Sequence, residues 1–176
     1  MRLSGSCHRL VETRKTRIWP AAMFLALLAV TACSRVPAES DVFGIGHSAS
    51  ADGWRVTVHK VVDLEGMPNR QPAMGYRFCS LVVTLENSTE RIRYFMPERQ
   101  MVLIDSAGQE FAPDHTAAVL AARSGWGTVP DGEMSAHEIA QGSVSYQVPL
   151  RAQRLCWELR TSLLPWGQRL SFCWDS

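Results

Sequence analysis

Residues 76–87 of this chain have the sequence YRFCSLVVTLEN, and their pattern is the clearest indication of the fold class. Apolar side chains occupy every second position, namely Cys79, Leu81, Val83 and Leu85. A period of two places these side chains on one face of a β-strand. A strand with one apolar face has to bury that face against another layer, so the stretch predicts a long strand within a layered β-structure.

Similar patterns occur on both sides of this stretch. Alternating or continuous apolar segments are found at 54–59 (WRVTVH), 101–104 (MVLI), 144–148 (VSYQV), 155–159 (LCWEL) and 170–174 (LSFCW). Roughly seven short strands separated by Gly, Pro and Asn predict an all-β, antiparallel β-sandwich. One short helix is expected over residues 116–123 (TAAVLAAR), with Asp114 capping its start and Gly125 ending it.

The first 32 residues predict a targeting segment. Arg14, Lys15 and Arg17 form a positive flank before residues 21–32, AAMFLALLAVTA. A membrane-spanning helix needs about 20 apolar residues, whereas a run of this length suits the apolar core of a signal peptide. We therefore expect residues 1–32 to direct export.

Residues 30–33, Val-Thr-Ala-Cys, resemble the lipobox of bacterial lipoproteins. The resemblance implies that the thiol of Cys33 receives a diacylglyceryl group and that a peptidase cuts between Ala32 and Cys33. Two or three acyl chains hold a protein stably at a membrane, whereas one holds it only marginally. The implied location is the cell membrane or the outer membrane, with the domain facing the periplasm or the exterior. The alternatives are an ordinary secretory signal and an uncleaved anchor.

The exported part divides into a tether and a domain. Residues 33–42 are mostly polar, contain Pro37 and form the expected lipidated tether, and residues 43–176 form the expected domain. Residues 33–176 carry 13 basic and 16 acidic side chains. This mildly acidic balance offers no electrostatic reason to bind nucleic acid.

A family resemblance rests on four motifs in order: W-x-V-x-V at 54–58, L-x-N at 85–87, D-x-x-G at 105–108, and a Gly-led strand ending in V-P at 142–149. Together they are similar to immunoglobulin-like domains of unknown function that are common in bacterial lipoproteins. That family is related in fold to a small secreted mycobacterial antigen. The resemblance covers roughly Gly44 to Trp174 and implies an immunoglobulin-like fold, with no catalytic residue or cofactor to carry over.

Three cysteines lie in the expected domain. In an oxidising compartment a disulfide is favoured. Strand parity turns Cys156 and Cys173 away from the core, on either side of a turn at 165–167, so they can face each other across a hairpin. Cys79 points inward by parity and is expected to be a buried, small apolar residue. A bridge from Cys79 to one of the others, or no bridge, remains open.

Two functional classes compete with a binding role. Met134, His137 and His115, with Met96 or Met101, are of the residue types that hold copper, which makes an envelope copper carrier one alternative. The histidines have no zinc-ligand spacing, and we expect no resident metal. A hydrolytic enzyme is the weaker alternative, because the serines at 143–145 do not form a G-x-S-x-G motif. We therefore expect no enzymatic activity.

Residues 123–132, RSGWGTVPDG, form a glycine-rich loop around Trp126, which is the candidate binding residue. Loops of sandwich domains often carry binding sites, although Trp126 can instead fold back onto the core. A binding domain predicts an exposed apolar patch near Trp126 or Trp166. The expected function is a non-catalytic binding or structural domain of the cell envelope, anchored by lipid and with an envelope protein as candidate partner.

Overall fold

The computed structural model describes residues 42–64, 66, 70–164 and 166–175. The described residues form eleven strands and two short helices. The strands are β1 Val42–Phe43, β2 Ser48–Ala51, β3 Trp54–Leu64, β4 Tyr76–Asn87, β5 Arg93–Phe95, β6 Met101–Asp105, β7 Glu110–Phe111, β8 Gly132–Met134, β9 Ile139–Pro149, β10 Arg154–Arg160 and β11 Arg169–Asp175. The helices are α1 Pro97–Gln100 and α2 His115–Ala121. The expected signal segment, the Ala32–Cys33 cleavage site and the tether as far as residue 41 lie outside the described residues.

The strands form two main sheets. One has the order β1-β11-β10-β6-β7, the other has the order β2-β3-β4-β9, and β5 pairs with β8 in a small third sheet. The paired strands are antiparallel except for β1, which runs parallel to β11. The prediction of an all-β sandwich is confirmed. It was wrong in two details, because a second short helix, α1, is present and one edge strand is parallel.

The core lies between the two main sheets. Fully buried side chains come from the second sheet, with Trp54 on β3 and Leu81 on β4, and from the first, with Trp157 on β10 and Phe172 on β11. The rings of Trp157 and Phe172 lie 5.8 Å apart between centroids. Burial of such large apolar side chains is the main stabilising contribution to a small domain.

A hydrogen bond crosses this core. Trp157 Nε1 on β10 donates to the hydroxyl of Tyr146 on β9 at 2.8 Å. Burial is the largest influence on the Tyr146 hydroxyl and raises its pKa. The bond leaves neither polar group unpaired in the apolar interior, where an unpaired group would cost free energy.

The second helix covers the outer face of β4. Phe78 is fully buried there against Ala117 of α2. The Asp114 side chain accepts a hydrogen bond from the Ala117 amide at 3.0 Å and so caps the helix. A π-helical turn, Ala122–Trp126, follows α2, and Gly125 in it has a φ of +94°. No helix in the described ranges is long and apolar enough to cross a membrane.

One end of the sandwich is formed by the connection between β10 and β11, residues 161–168, together with the β2–β3 turn. The Nε1 of Trp54, at the start of β3, donates to the carbonyl of Thr161 at 3.2 Å, and this bond joins the ends of the two sheets. The end of β4 and the start of β9 lie here too, since Asn87 pairs with Trp54, and Glu86 pairs with Ile139. We call this the Trp166 end.

Candidate functional site

A solvent-open hollow of about 640 Å³ lies at the Trp166 end. Its apolar border consists of Tyr94, Leu163, Leu164 and Trp166, all of which are exposed. Trp166 is 69% exposed and Tyr94 is 54% exposed, although both are large aromatic residues. We call the hollow and this border the Trp166 pocket.

Arg93 on β5 is one of the residues that line the pocket. Its guanidinium carbon lies 4.3 Å from the ring centroid of the buried Trp54, which is within the range of a cation–π interaction. Its NH1 donates to the carbonyl of Asp52, and its NH2 donates to the carbonyl of Thr161 at 3.4 Å. Burial lowers the pKa of Arg93, and the charge of Asp52 partly offsets this effect. One side chain therefore connects the core to both loops that border the pocket.

The β2–β3 turn is held in an unusual backbone conformation. Asp52 has a φ of +48°, a region that non-glycine residues seldom occupy, and Gly53 follows with +76°. A Cβ on Gly53 would collide with the side chain of Thr89, and the positive φ would strain any other residue at this position. The Oδ2 of Asp52 accepts hydrogen bonds from Thr161 Oγ1 at 2.6 Å and from Gln168 N at 3.2 Å. These bonds compensate for the strained turn and fix it to the 161–168 connection.

Gln100, the last residue of α1, also lines the pocket. Its side chain is buried, its Oε1 accepts from the Met96 amide at 2.9 Å, and its Nε2 donates to the Arg160 carbonyl at 3.0 Å. These bonds connect α1 to the end of β10. The pocket is consequently preformed, with polar side chains holding the backbone and apolar side chains facing solvent.

This arrangement is chemically suited to binding through apolar contact. Clustered, exposed Trp, Tyr and Leu side chains are characteristic of binding surfaces, because their burial supplies most of the free energy of association. The charged groups of the pocket, Asp52 and Arg93, already contact the protein itself. Their main contribution is the rigidity of the walls.

Trp126, the candidate binding residue of the sequence analysis, occupies a different environment. It is half-buried at the end of the π-helical turn. The backbone that follows runs along β9, where Ser143 N donates to the Gly127 carbonyl at 3.1 Å and Thr128 forms a bridge with Ser143. The glycine-rich loop therefore covers a sheet edge, and the more exposed tryptophan is Trp166.

The residues of the copper alternative do not converge. The Nε2 of His115 lies 2.7 Å from an oxygen of Glu98, and the Nε2 of His137 lies 3.0 Å from an oxygen of Glu90. Met134 is fully buried in the core. Within the described part of the chain, no group of three or more His, Cys, Asp or Glu residues could hold a metal ion.

The cysteines are placed in two environments. Cys156 and Cys173 are joined by a disulfide between directly paired residues of β10 and β11, with their Cα atoms 4.1 Å apart. Cys79 is a free thiol with no exposed surface. Burial raises the pKa of the Cys79 thiol to about 12, with the Asp63 carboxylate acting in the same direction and Arg77 in the opposite one. Such a thiol is a packing residue and is not a nucleophile at neutral pH.

Comparison with known proteins gives a family and a set of related folds. Residues 43–169 match the family described as Domain of unknown function (DUF4352). None of the curated proteins matches the chain.

Three solved structures illustrate the fold. A conserved hypothetical protein from Bacillus anthracis has a TM-score of 0.53 and 15% identity, with 73% of this chain and 94% of that chain covered. The candidate lipoprotein ycdA of Bacillus subtilis has a TM-score of 0.55 and 10% identity, with 73% and 38% covered. The secreted protein MPT63 of Mycobacterium tuberculosis has a TM-score of 0.50 and 10% identity, with 79% and 99% covered. At these identities the similarity shows the fold alone, and it confirms the expected relation to a small secreted mycobacterial protein.

Proposed function

The chain belongs to the DUF4352 family of domains of unknown function, and from this premise we propose that it is a lipid-anchored, extracytoplasmic protein whose sandwich is a non-catalytic binding domain. The observation that carries the binding role is the exposed aromatic and aliphatic border of the Trp166 pocket. The anchor is the thiol of Cys33, in the segment that resembles a lipobox.

Two observations support a location outside the cytoplasm. The Cys156–Cys173 disulfide is a bond that persists in oxidising compartments and is rare in reducing ones. The similar folds include one protein named as a candidate lipoprotein and one named as secreted. With the lipobox-like residues 30–33, these observations favour export followed by attachment to a membrane.

The chemistry of the pocket supports binding without catalysis. The Thr161 hydroxyl donates to Asp52 within the β2–β3 turn, whereas a nucleophile would need a base oriented towards a substrate. A nucleic-acid partner is disfavoured by the acidic balance of residues 33–176. The domain instead offers an apolar surface on a fixed backbone.

Metabolic labelling with a palmitate analogue tests the anchor. The wild-type chain is expected to incorporate label and to sediment with membranes, and Cys33→Ser is expected to lose the label. Cys79→Ala serves as a matched cysteine substitution that should leave labelling unchanged. Normal labelling of Cys33→Ser would show that the proposed anchor is wrong.

Photo-crosslinking in intact cells tests the binding surface. A photoreactive amino acid at Leu164, on the border of the pocket, is expected to crosslink to the molecule that binds there. The test does not depend on whether that molecule is a protein, a lipid or another ligand. The control position is Met74, which is 93% exposed. It lies just before the start of β4, whereas the pocket lies near Asn87 at the other end of that strand. Equal yields at both positions, or no adduct at Leu164, would contradict a binding role for the pocket.

A further inference from the structure

The chain enters the sandwich at the Trp166 end. Strand β1 runs parallel to β11, with Val42 paired to Ser171 and Phe43 paired to Phe172. Strand β11 begins immediately after the 161–168 connection, so the N-terminal ends of both strands face the same end of the sheet. Val42 lies three residues along the strand from Gln168, which is about 10 Å at the rise of a β-strand.

The length of chain before β1 limits how far the domain can move from its anchor. Cys33 precedes Val42 by nine residues. Even fully extended, nine residues span only about 30 Å. The twelve residues of β4 run from the opposite end of the sandwich, where Met74 lies and which we call the Met74 end, to the Trp166 end, and they span about 40 Å by themselves. A lipid on Cys33 therefore keeps Val42, and with it the Trp166 end, within reach of the bilayer and limits how far the opposite end can turn towards it.

The exposed large apolar side chains are concentrated at this same end. Six of them lie on its loops and strand ends: Ile92, Tyr94, Ile139, Leu163, Leu164 and Trp166. Tryptophan and tyrosine are enriched where a protein meets the lipid–water interface, because their rings combine an apolar body with a polar atom. Leucine and isoleucine add the apolar area that drives insertion.

The charges at this end favour insertion over electrostatic attachment. Glu90 and Arg91 lie together on the β4–β5 loop, Arg93 begins β5, and Glu138 precedes β9. Arg93 is already held by the carbonyls of Asp52 and Thr161. A surface with both signs of charge gains little from anionic lipids, in contrast to a polybasic segment.

We propose that the occupant of the Trp166 pocket border is the membrane surface itself, with Leu163, Leu164 and Trp166 inserted into the lipid–water interface of the bilayer that holds the acyl chains of Cys33. This inference rests on the proposed lipid anchor. A short tether raises the effective concentration of lipid near the loop, so an intrinsically weak insertion is sufficient. The domain then lies on the bilayer in one orientation, with the Met74 end facing away from it.

Vesicle binding without the lipid anchor tests the proposal. The chain from residue 33 onward retains the whole described core, and Cys33→Ser in it removes the acylated thiol. With phosphatidylcholine vesicles at about millimolar lipid, this parent chain is expected to co-sediment. Adding phosphatidylglycerol is expected to change the partition coefficient by less than about threefold. No co-sedimentation of the parent chain would overturn the proposal.

Substitutions at the two ends distinguish a lipid-binding surface at the Trp166 end from non-specific adsorption through any exposed apolar side chain. Leu164→Ser with Trp166→Ser is expected to lower the partition coefficient at least tenfold, since each side chain buries apolar area in the bilayer. The matched control, Met74→Ser with Leu150→Ser, removes two exposed apolar side chains at the opposite end and should change it less than about twofold. Equal losses in both double variants would overturn the proposal. Near-ultraviolet circular dichroism verifies that both retain the fold.

A depth measurement reports directly on Trp166. Brominated phosphatidylcholine is expected to quench the tryptophan fluorescence of the bound parent chain, and Trp166→Phe should bind within about threefold but lose most of the quenching. Persistent quenching in Trp166→Phe would contradict insertion of this residue. In cells, adducts at Leu164 that contain only protein would also overturn the membrane as occupant. The Cys33 anchor is tested separately by palmitate labelling, so either idea can fail without the other.

Discussion

The guanidinium group of Arg93 lies over the indole ring of Trp54, 4.3 Å from its centroid. Both side chains donate to the same carbonyl, that of Thr161, with distances of 3.4 Å from Arg93 and 3.2 Å from Trp54. A buried core residue and a pocket residue therefore share one acceptor at the point where the 161–168 connection begins. The shape of the Trp166 pocket is consequently tied to the packing of the core.

Arg93→Lys is expected to loosen the pocket. A lysine keeps the charge, but it lacks the planar group that reaches two carbonyls while stacking on an indole. We expect the free energy of unfolding to fall by about 1–2 kcal/mol, measured by urea denaturation. The control is Arg91→Lys, at an exposed position of the same segment, with a change below about 0.5 kcal/mol. Equal midpoints for Arg93→Lys and wild type would show that the two carbonyl contacts contribute nothing.

Removing the disulfide is expected to destabilise the domain. Cys156 and Cys173 are 17 residues apart, and closing a loop of this length contributes about 3 kcal/mol by chain entropy. Cys156→Ser with Cys173→Ser should lower Tm by roughly 10 °C, and reductant should lower the Tm of the wild type to a similar extent. Reductant should have no effect on the double variant. A wild-type Tm that does not respond to reductant would contradict the assignment.

Cys79 is expected to be inert in the native protein. Its thiol has no exposed surface, and burial raises its pKa to about 12, so the reactive thiolate is scarce at pH 8. In the chain from residue 33 with Cys33→Ser, a thiol reagent at pH 8 should label Cys79 only after denaturation. Labelling of the folded chain on mixing would mean that β4 opens far more readily than its burial indicates.

Asp114 is expected to make stability depend on acid pH. Burial by itself would raise the pKa of Asp114, but hydrogen bonds from Ala117 and Gln147 and the charge of Arg70 outweigh burial and hold it below its ordinary value. A carboxylate with a lowered pKa contributes stability above its unfolded value, near pH 4, and the contribution disappears as pH falls through the folded value.

Asp114→Asn should therefore cost about 1 kcal/mol at pH 7, with the difference from wild type shrinking below about pH 4. Urea denaturation at several pH values provides the measurement. Asp131→Asn, at an exposed position, is the matched control and should change the free energy of unfolding by less than about 0.5 kcal/mol. A cost for Asp114→Asn that is independent of pH would mean that the carboxylate charge makes no net contribution.

Local patterns predicted much of the fold. The alternation in residues 76–87 placed Cys79, Leu81 and Val83 on the core side, and all three are fully buried on β4. Parity also placed Cys156 opposite Cys173, as their register shows. The predicted helix begins within one residue of the observed α2 and has the expected Asp114 cap. These features depend on side chains a few positions apart, which periodicity describes directly.

Other features were beyond local patterns. Helix α1 has only four residues, Pro97–Gln100, which is too short for a helical period to be visible. The glycines around Trp126 left open whether its loop forms a binding site or packs back, and it is Gly142 on β9 that gives the backbone of Thr128 room to approach closely. The exposure of Trp166 and the partial burial of Trp126 depended on the tertiary contacts of their loops.

The all-β class, the strand faces and the possibility of a Cys156–Cys173 bridge were all visible in the amino-acid pattern, because they follow from the two-residue repeat of a strand. The tertiary structure alone decided that Arg93, Trp54 and the carbonyl of Thr161 meet, that β1 joins the sheet parallel to β11, and that the Trp166 pocket lies where the chain enters. Such contacts join residues many tens of positions apart, and their free energy depends on the packing of both sheets around one core.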